Sequence, residues 1–177
     1  SLMQEDSDAE NVRHLQDICQ VVSLHEMRWF TPGTLKSVLG FLSSRPRSFV
    51  DTYDPAIKEA VRAAVDRGKP DVLVASTLGV VEYVPDDLDI PTVLEQHNCE
   101  FAVLKRIAEG VSGPIPRLRR SLGWKKFAKW ESRVCRRFDC VVMVSEQDRQ
   151  LIMSATPELS NVAVVPNGVD TEHYSPL

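Results

Sequence analysis

The chain reads as an α/β domain built on a parallel sheet, and three observations predict this. Short runs that read as strands occur at Asp71–Ser76, Ile90–His97 and Asp139–Ser145, the first and last of them rich in valine. The last of them is almost continuously apolar and reads as a strand buried on both faces of a parallel sheet. Segments with helical spacing of their apolar residues separate these runs. The carboxyl-terminal part then runs strand, helix, strand, from Asp139 to Val165. Two strands joined in this way are parallel, with a right-handed crossover.

The 177 residues suffice for one domain with its own core. Hydrophobic residues make up 43% and charged residues 26%, the composition of a globular chain. A net charge of −4 argues against general nucleic-acid binding. No apolar run reaches the ~18 residues of a membrane span, and no signal peptide is visible. Cys19, Cys99, Cys135 and Cys140 form no C-x-x-C pair, and His97-x-Cys99 alone is no zinc signature. They read as reduced, mostly buried thiols of a cytosolic protein.

Taken in order, Val12, Leu15 and Ile18 keep helical spacing, so residues 10–17 are predicted to end a helix. Ile18–Leu24 reads as a strand. Arg28–Gly33 is a turn-rich break. Leu35, Val38, Leu39 and Leu42 outline a short amphipathic helix, and a loop with Pro46 follows. Asp54-Pro55 is a helix start, with an N-cap residue and proline at the first position. Ile57, Ala60, Val61, Ala64 and Val65 form its apolar stripe, and Gly68 is expected to close it.

The strand at Asp71–Ser76 leads into Thr77-Leu78-Gly79. The strand at Ile90–His97 leads into Asn98 and a helix over residues 100–109. Gly110–Pro116, with two glycines and two prolines, reads as a loop. Leu118–Phe138 is helical, with a kink expected at Gly123. Phe127, Trp130, Val134 and Phe138 share one face, and Lys125, Lys129, Arg133 and Arg136 the opposite one. Glu131 sits beside the apolar stripe, where a buried acid with a raised pKa or a structural bond to the backbone is expected. The basic face, with Trp124 and Trp130 nearby, is either solvated or an anionic contact, for membrane headgroups or a lipid-pyrophosphate acceptor.

In the last unit Ser145 is a good N-cap. Glu146 and Asp148 follow in the first turn, where the helix dipole favours acids. Pro166 stops the final strand, and Asn167-Gly168 is a turn pair. Ligands of open α/β sheets bind at the carboxyl ends of strands. His97, Asn98, Thr77, Gly79, Ser145 and Glu146 are therefore the candidate site residues, with helix capping the structural alternative for Ser145 and Glu146.

Val164-Val165-Pro166-Asn167-Gly168-Val169-Asp170, followed by Tyr174-Ser175-Pro176, resembles the connector of the retaining GT-B glycosyltransferases of family 4, the group 1 glycosyl transferases. Glu131, Phe138-Asp139 and Val144-Ser145-Glu146 match the family's pattern upstream. The resemblance implies a Rossmann-like N-terminal domain over residues 1–165, with helices on both faces of its sheet. It makes residues 166–177 a connector toward a C-terminal donor-binding domain, with Pro166, Asn167, Gly168 and Asp170 as the hinge. It implies catalysis by the complete enzyme, with His97 as the catalytic candidate and Asn98 and Ser145 on the acceptor side; Thr77 and Glu146 join them as substrate-binding candidates by their place at the strand ends.

The implied partners are an acceptor glycan or glycolipid and, through the C-terminal domain, a nucleotide sugar. No cofactor or metal is implied, the nucleotide sugar being the donor substrate. Cell-envelope or lipid-linked saccharide synthesis is the implied setting. That setting would be cytoplasmic, with peripheral contact at the inner face of an anionic membrane.

The chain departs from the family's pattern at its start. The strand and glycine-rich loop expected before the helix at 10–17 are not seen. That strand is central in a doubly wound sheet, so the strands at 18–24 and 71–76 would expose edges, which predicts a dimer. A nucleotide-sugar 2-epimerase of the same two-domain plan, or a non-enzymatic α/β binding module, are the other classes open to the sequence. The sequence has no G-x-G-x-x-G, G-x-x-x-x-G-K-[ST] or G-x-S-x-G, and no metal-ligating cluster.

Overall fold

The computed structural model describes residues 16–19, 25 and 28–169. Its centre is a four-stranded, all-parallel sheet in the order β1-β2-β3-β4. The strands are β1 (Leu73–Ser76), β2 (Thr92–Gln96), β3 (Cys140–Met143) and β4 (Val162–Val164). The helices are α1 (Leu35–Leu39), α2 (Arg47–Thr52), α3 (Pro55–Gly68), α4 (Glu100–Glu109), α5 (Pro114–Cys135) and α6 (Glu146–Ala155), with a 3-10 helix at Leu78–Tyr83. The arrangement is an α/β, Rossmann-like one, as the alternation of strands and helices predicts.

The strand expected over Ile18–Leu24 lies outside the described residues, apart from Ile18 and Cys19. Ile18 is helical and exposed. Among the described residues β1 pairs with β2 alone and forms an edge.

Several local expectations change. The segment after Pro46 is the helix α2, not a loop. Asp54 caps α3 as expected, its Oδ1 accepting from the Ala56 N–H at 2.9 Å. Gly68, however, is the last helical residue, and Lys69 takes the left-handed C-cap at φ 43°. The loop expected over Gly110–Pro116 is shorter, because α5 begins at Pro114 and runs through Gly123 to Cys135 as one helix. Gly113 supplies the positive φ of 92° that precedes it. Pro114 and Pro116 lie in the first turn, where amide donors have no intrahelical partner to lose.

Burial alternates along every strand. Ala75, Leu94, Val141 and Met143 point into the core, while Val74, Glu95, Val142 and Ala163 are half-buried or exposed. β3, expected to be buried on both faces, is fully buried on one only. The core on that face is closed by α5. Trp130, Val134 and Phe138 are buried and Phe127 packs against them. Trp130 thus belongs to the core and not to the basic face.

α1 is amphipathic in the reverse sense to that expected. Leu35, Val38, Leu39 and the following Leu42 are exposed, and Ser37 is buried beneath the Arg47 side chain, which donates to Ser37 Oγ and to its carbonyl. The described cysteines are free: Cys99 and Cys135 are buried, Cys140 is half-buried and Cys19 is exposed. Among the described residues no helix is long and apolar enough to cross a membrane.

Candidate functional site

Parallel register brings the ends of all four strands to one edge. Ser76 lies opposite Glu95, Gln96 opposite Met143, and Met143 opposite Val164. The next residues in each chain segment are Thr77, His97, Val144 and Val165, so Thr77, His97, Asn98, Ser145, Glu146 and Pro166 gather along this carboxyl edge. His97 and Asn98 are exposed there, and nothing in the sheet occludes the imidazole. Asn167 and Gly168 continue beyond β4 as exposed coil, and Asp170 lies outside the described residues.

Thr77 has φ 76° and ψ 156°. A β-branched residue at positive φ is a strained conformation that its surroundings must hold. The Thr77 N–H donates to the Glu95 carbonyl at 2.8 Å, and Thr77 Oγ1 accepts from the Gly79 N–H at 3.3 Å. Beside it Ser76 Oγ donates to Glu95 Oε2 at 2.8 Å. The strained turn thus ties the end of β1 to the end of β2, next to His97.

Ser145 caps α6. Its Oγ accepts from the Asp148 N–H at 3.1 Å and donates to Asp148 Oδ2 at 2.5 Å. Asp148 Oδ1 accepts from the Cys99 N–H at 3.1 Å, which joins the α6 cap to the start of α4. Glu146, exposed, pairs with Arg149 at 2.9 Å. Capping, the structural alternative, therefore accounts for the contacts of Ser145. Replacing Ser145 with alanine removes the cap and is expected to cost about 1 kcal/mol in a urea titration. An unchanged midpoint would show that the cap adds nothing.

The start of α4 is held from below by Glu131. Its Oε1 accepts from the Glu100 N–H at 3.2 Å, and its Oε2 from the Phe101 N–H at 2.8 Å. Glu131 is fully buried, and burial pushes its pKa up to about 7 against the pull of those two amides. The first amides of α4 are thus occupied by the chain's own carboxylates, Asp148 and Glu131. This helix end is closed to a phosphate, although it opens directly behind His97 and Asn98.

Beneath it, Gln96 Nε2 donates to Cys135 Sγ at 3.2 Å, and Gln96 Oε1 is buried with no hydrogen-bond partner among the described residues. Burial first, and then the nearby Glu131, push the Cys135 thiol up to about 12 and Cys99 well above its usual range. Both are therefore unreactive core thiols at neutral pH. The amino ends of β2 and β3 are tied by Asp139, whose Oδ2 accepts from the Thr92 N–H at 2.7 Å and Oγ1 at 3.0 Å. These bonds hold the Asp139 carboxyl below its usual range.

The edge therefore unites the residues expected there, while Asp148 enters through geometry. Its signal in the sequence was the Ser-x-x-Asp spacing, which is a capping-box pattern. Among the described residues no group of three or more His, Cys, Asp or Glu side chains is placed to hold a metal ion.

No curated protein and no solved structure matches the chain. Residues 14–173 match the family described as Glycosyltransferase Family 4. That match spans the sheet, the carboxyl edge with His97 and Ser145, and the Asn167-Gly168 turn. The chain belongs to glycosyltransferase family 4.

Proposed function

We propose that this chain is the acceptor-side, N-terminal domain of a retaining glycosyltransferase that moves a sugar from a nucleotide-sugar donor to a glycan or glycolipid acceptor. The observation that carries the reading is the exposed pair His97-Asn98 at the carboxyl edge, beside the strained Thr77 turn, in a chain of this family. An imidazole at a sheet edge can hold a sugar hydroxyl or offset developing charge, and the asparagine amide can orient it. Ser145 and Glu146 border the same edge.

The donor is bound by a second α/β domain that follows the connector Pro166–Asp170, and transfer takes place in the cleft between the two. The 177-residue chain by itself is then inactive. The reading frame beyond Leu177 is expected to encode that second domain, and a stop codon there would remove the catalytic proposal.

In the complete enzyme, His97→Ala is expected to lower kcat/KM by about 10²-fold or more, the usual worth of a positioned acid–base group. The unfolding midpoint should stay unchanged, because His97 is exposed. A kcat/KM equal to that of the parent would refute the role of His97. Turnover by the isolated 177-residue chain would refute the division of labour between domains.

A further inference from the structure

A cavity of about 310 Å³ lies between α2, α3, the 3-10 helix and the last turns of α5. Its wall comes from distant parts of the chain. Arg45 stands before α2, Tyr53 at its end, and Lys58 in the first turn of α3. Arg133 follows the buried Trp130 by three residues, one helical turn, and Arg137, in the turn that ends α5, follows it by seven. Arg133, which spacing alone groups with the basic face, thus borders this cavity.

The cavity belongs to the amino-end side of the sheet. Arg137 Nη2 donates to the Val84 carbonyl at 3.3 Å, and Asp139, two residues on, bonds at the amino end of β2. His97 lies at the opposite end of that strand.

Four cations line the cavity, against two carboxylates, Glu82 and Asp86. Glu82 is held in the wall, where it accepts from Trp130 Nε1 at 3.2 Å and pairs with Arg45 at 3.1 Å. Asp86 serves two cations at once, Arg137 at 2.5 Å and Lys58 at 3.6 Å. Among the described residues Arg133 pairs with no acid. Two positive charges are therefore uncompensated here, in a chain of net charge −4. Lys58 and Arg137 keep only 32% and 29% of their side chains exposed, so water screens them less than it screens a free surface base. Tyr53 stacks on Tyr83, with 5.7 Å between centroids and 11° between planes, which fixes an aromatic wall with a hydroxyl tip beside these bases.

We infer that this cavity binds a small soluble phosphomonoester, its phosphate held by Lys58, Arg133 and Arg137 and its hydroxylated body set against Tyr53. Guanidinium forks match phosphate oxygens in geometry, and a phosphomonoester carries close to two negative charges at neutral pH. A solvated basic face spreads its cations, whereas here they converge on one cavity from residues 45, 58, 133 and 137. The volume is near the lower end of small-molecule sites, the size of a metabolite. The entering phosphate displaces Asp86, which is exposed and can turn to water. The site does not depend on the glycosyl-transfer reading, because its test needs no turnover.

The test is isothermal titration calorimetry of the 177-residue chain with ribose 5-phosphate and with inorganic phosphate, at constant ionic strength. Ribose 5-phosphate is expected to bind saturably, and at least about threefold more tightly than inorganic phosphate, because only the ester reaches Tyr53. Lys58→Ala and Arg133→Ala are each expected to weaken it about tenfold. Asp86→Asn removes the competing carboxylate and is expected to tighten it about threefold. Lys125→Ala with Lys129→Ala, on α5 but outside the cavity, is expected to leave it unchanged. Far-UV circular dichroism checks that every variant stays folded.

The inference is overturned if ribose 5-phosphate shows no saturable binding up to about 10 mM. It is overturned too if Lys58→Ala and Arg133→Ala bind like the parent, or if the Lys125 and Lys129 variant loses as much as they do, which would mark diffuse charge. Weaker binding by Asp86→Asn would show that Asp86 supports the ligand in place of competing with it, against the proposal. Equal affinity for inorganic phosphate would leave an ion site only. Binding of phosphatidic acid vesicles with none of ribose 5-phosphate would overturn the soluble ligand.

Discussion

Trp130→Ala is expected to lower the unfolding free energy by about 3–5 kcal/mol, the range for removing a large aromatic from a packed core. Trp130 is 2% exposed. Its ring centroid lies 4.4 Å from that of Phe49 on α2 and 5.2 Å from that of Phe127 on α5. Its Nε1 donates to Glu82 Oε1 at 3.2 Å, and Glu82 also pairs with Arg45 at 3.1 Å. The side chain therefore joins α5, α2 and the 3-10 helix, and its loss opens a cavity and leaves the partly buried Glu82 with one partner fewer.

Domains have total stabilities of about 5–15 kcal/mol, so the variant should approach the unfolding threshold. Urea titration followed by tryptophan fluorescence and circular dichroism measures the change. Trp130→Phe separates the contributions: it keeps most of the packing, loses the Glu82 bond, and should cost roughly half as much or less. A loss below about 1 kcal/mol for Trp130→Ala would show that α2 does not depend on this ring.

The contrast between Trp130 and Glu131 shows what the sequence made legible. The face shared by Phe127, Trp130, Val134 and Phe138 follows from helical spacing, and these residues do close the core. The strands, three to five residues long, were legible because short runs of β-branched and apolar residues stand between turn signals and alternate with helical spacing. α2 was not, because six residues show too little of a period. The start of α5 was hidden because Pro114, Pro116 and Gly113 read as breakers, although proline is admissible in a first helical turn.

At the site, the gathering of Thr77, His97 and Ser145 on one edge followed from strand direction alone. The role of Glu131 needed the fold. Its partners, Glu100 and Phe101, lie 31 and 30 residues away, and Asp148 reaches 49 residues back to Cys99. No local pattern carries contacts of that span. The exposed α1 face was equally hidden, since amphipathic spacing marks an apolar face without saying whether anything covers it.

Glu131 should also give the domain a stability that falls as pH rises through neutrality. Its folded pKa is raised to about 7 from an ordinary 4.5, chiefly by burial. Between those values the folded state holds a proton that the unfolded state has released. The stabilisation is therefore fully present below about pH 4.5 and is lost as pH passes 7. With these two values the decline between pH 5 and pH 8 is about 2–3 kcal/mol.

Asp51, Asp87 and Asp139, whose carboxyls are held below their usual range by hydrogen bonds, act in the opposite sense. Their contribution is lost only below about pH 4, outside this window. Glu131→Gln keeps the shape and one acceptor for the α4 amides but cannot ionise, so its stability should be flat from pH 5 to pH 8. Urea titrations at four pH values on both proteins measure this. Equal slopes would show that Glu131 does not titrate in this range. A steeper loss in the variant at high pH would show that the charged carboxylate, bonded to Glu100 and Phe101, is the form that the α4 cap requires.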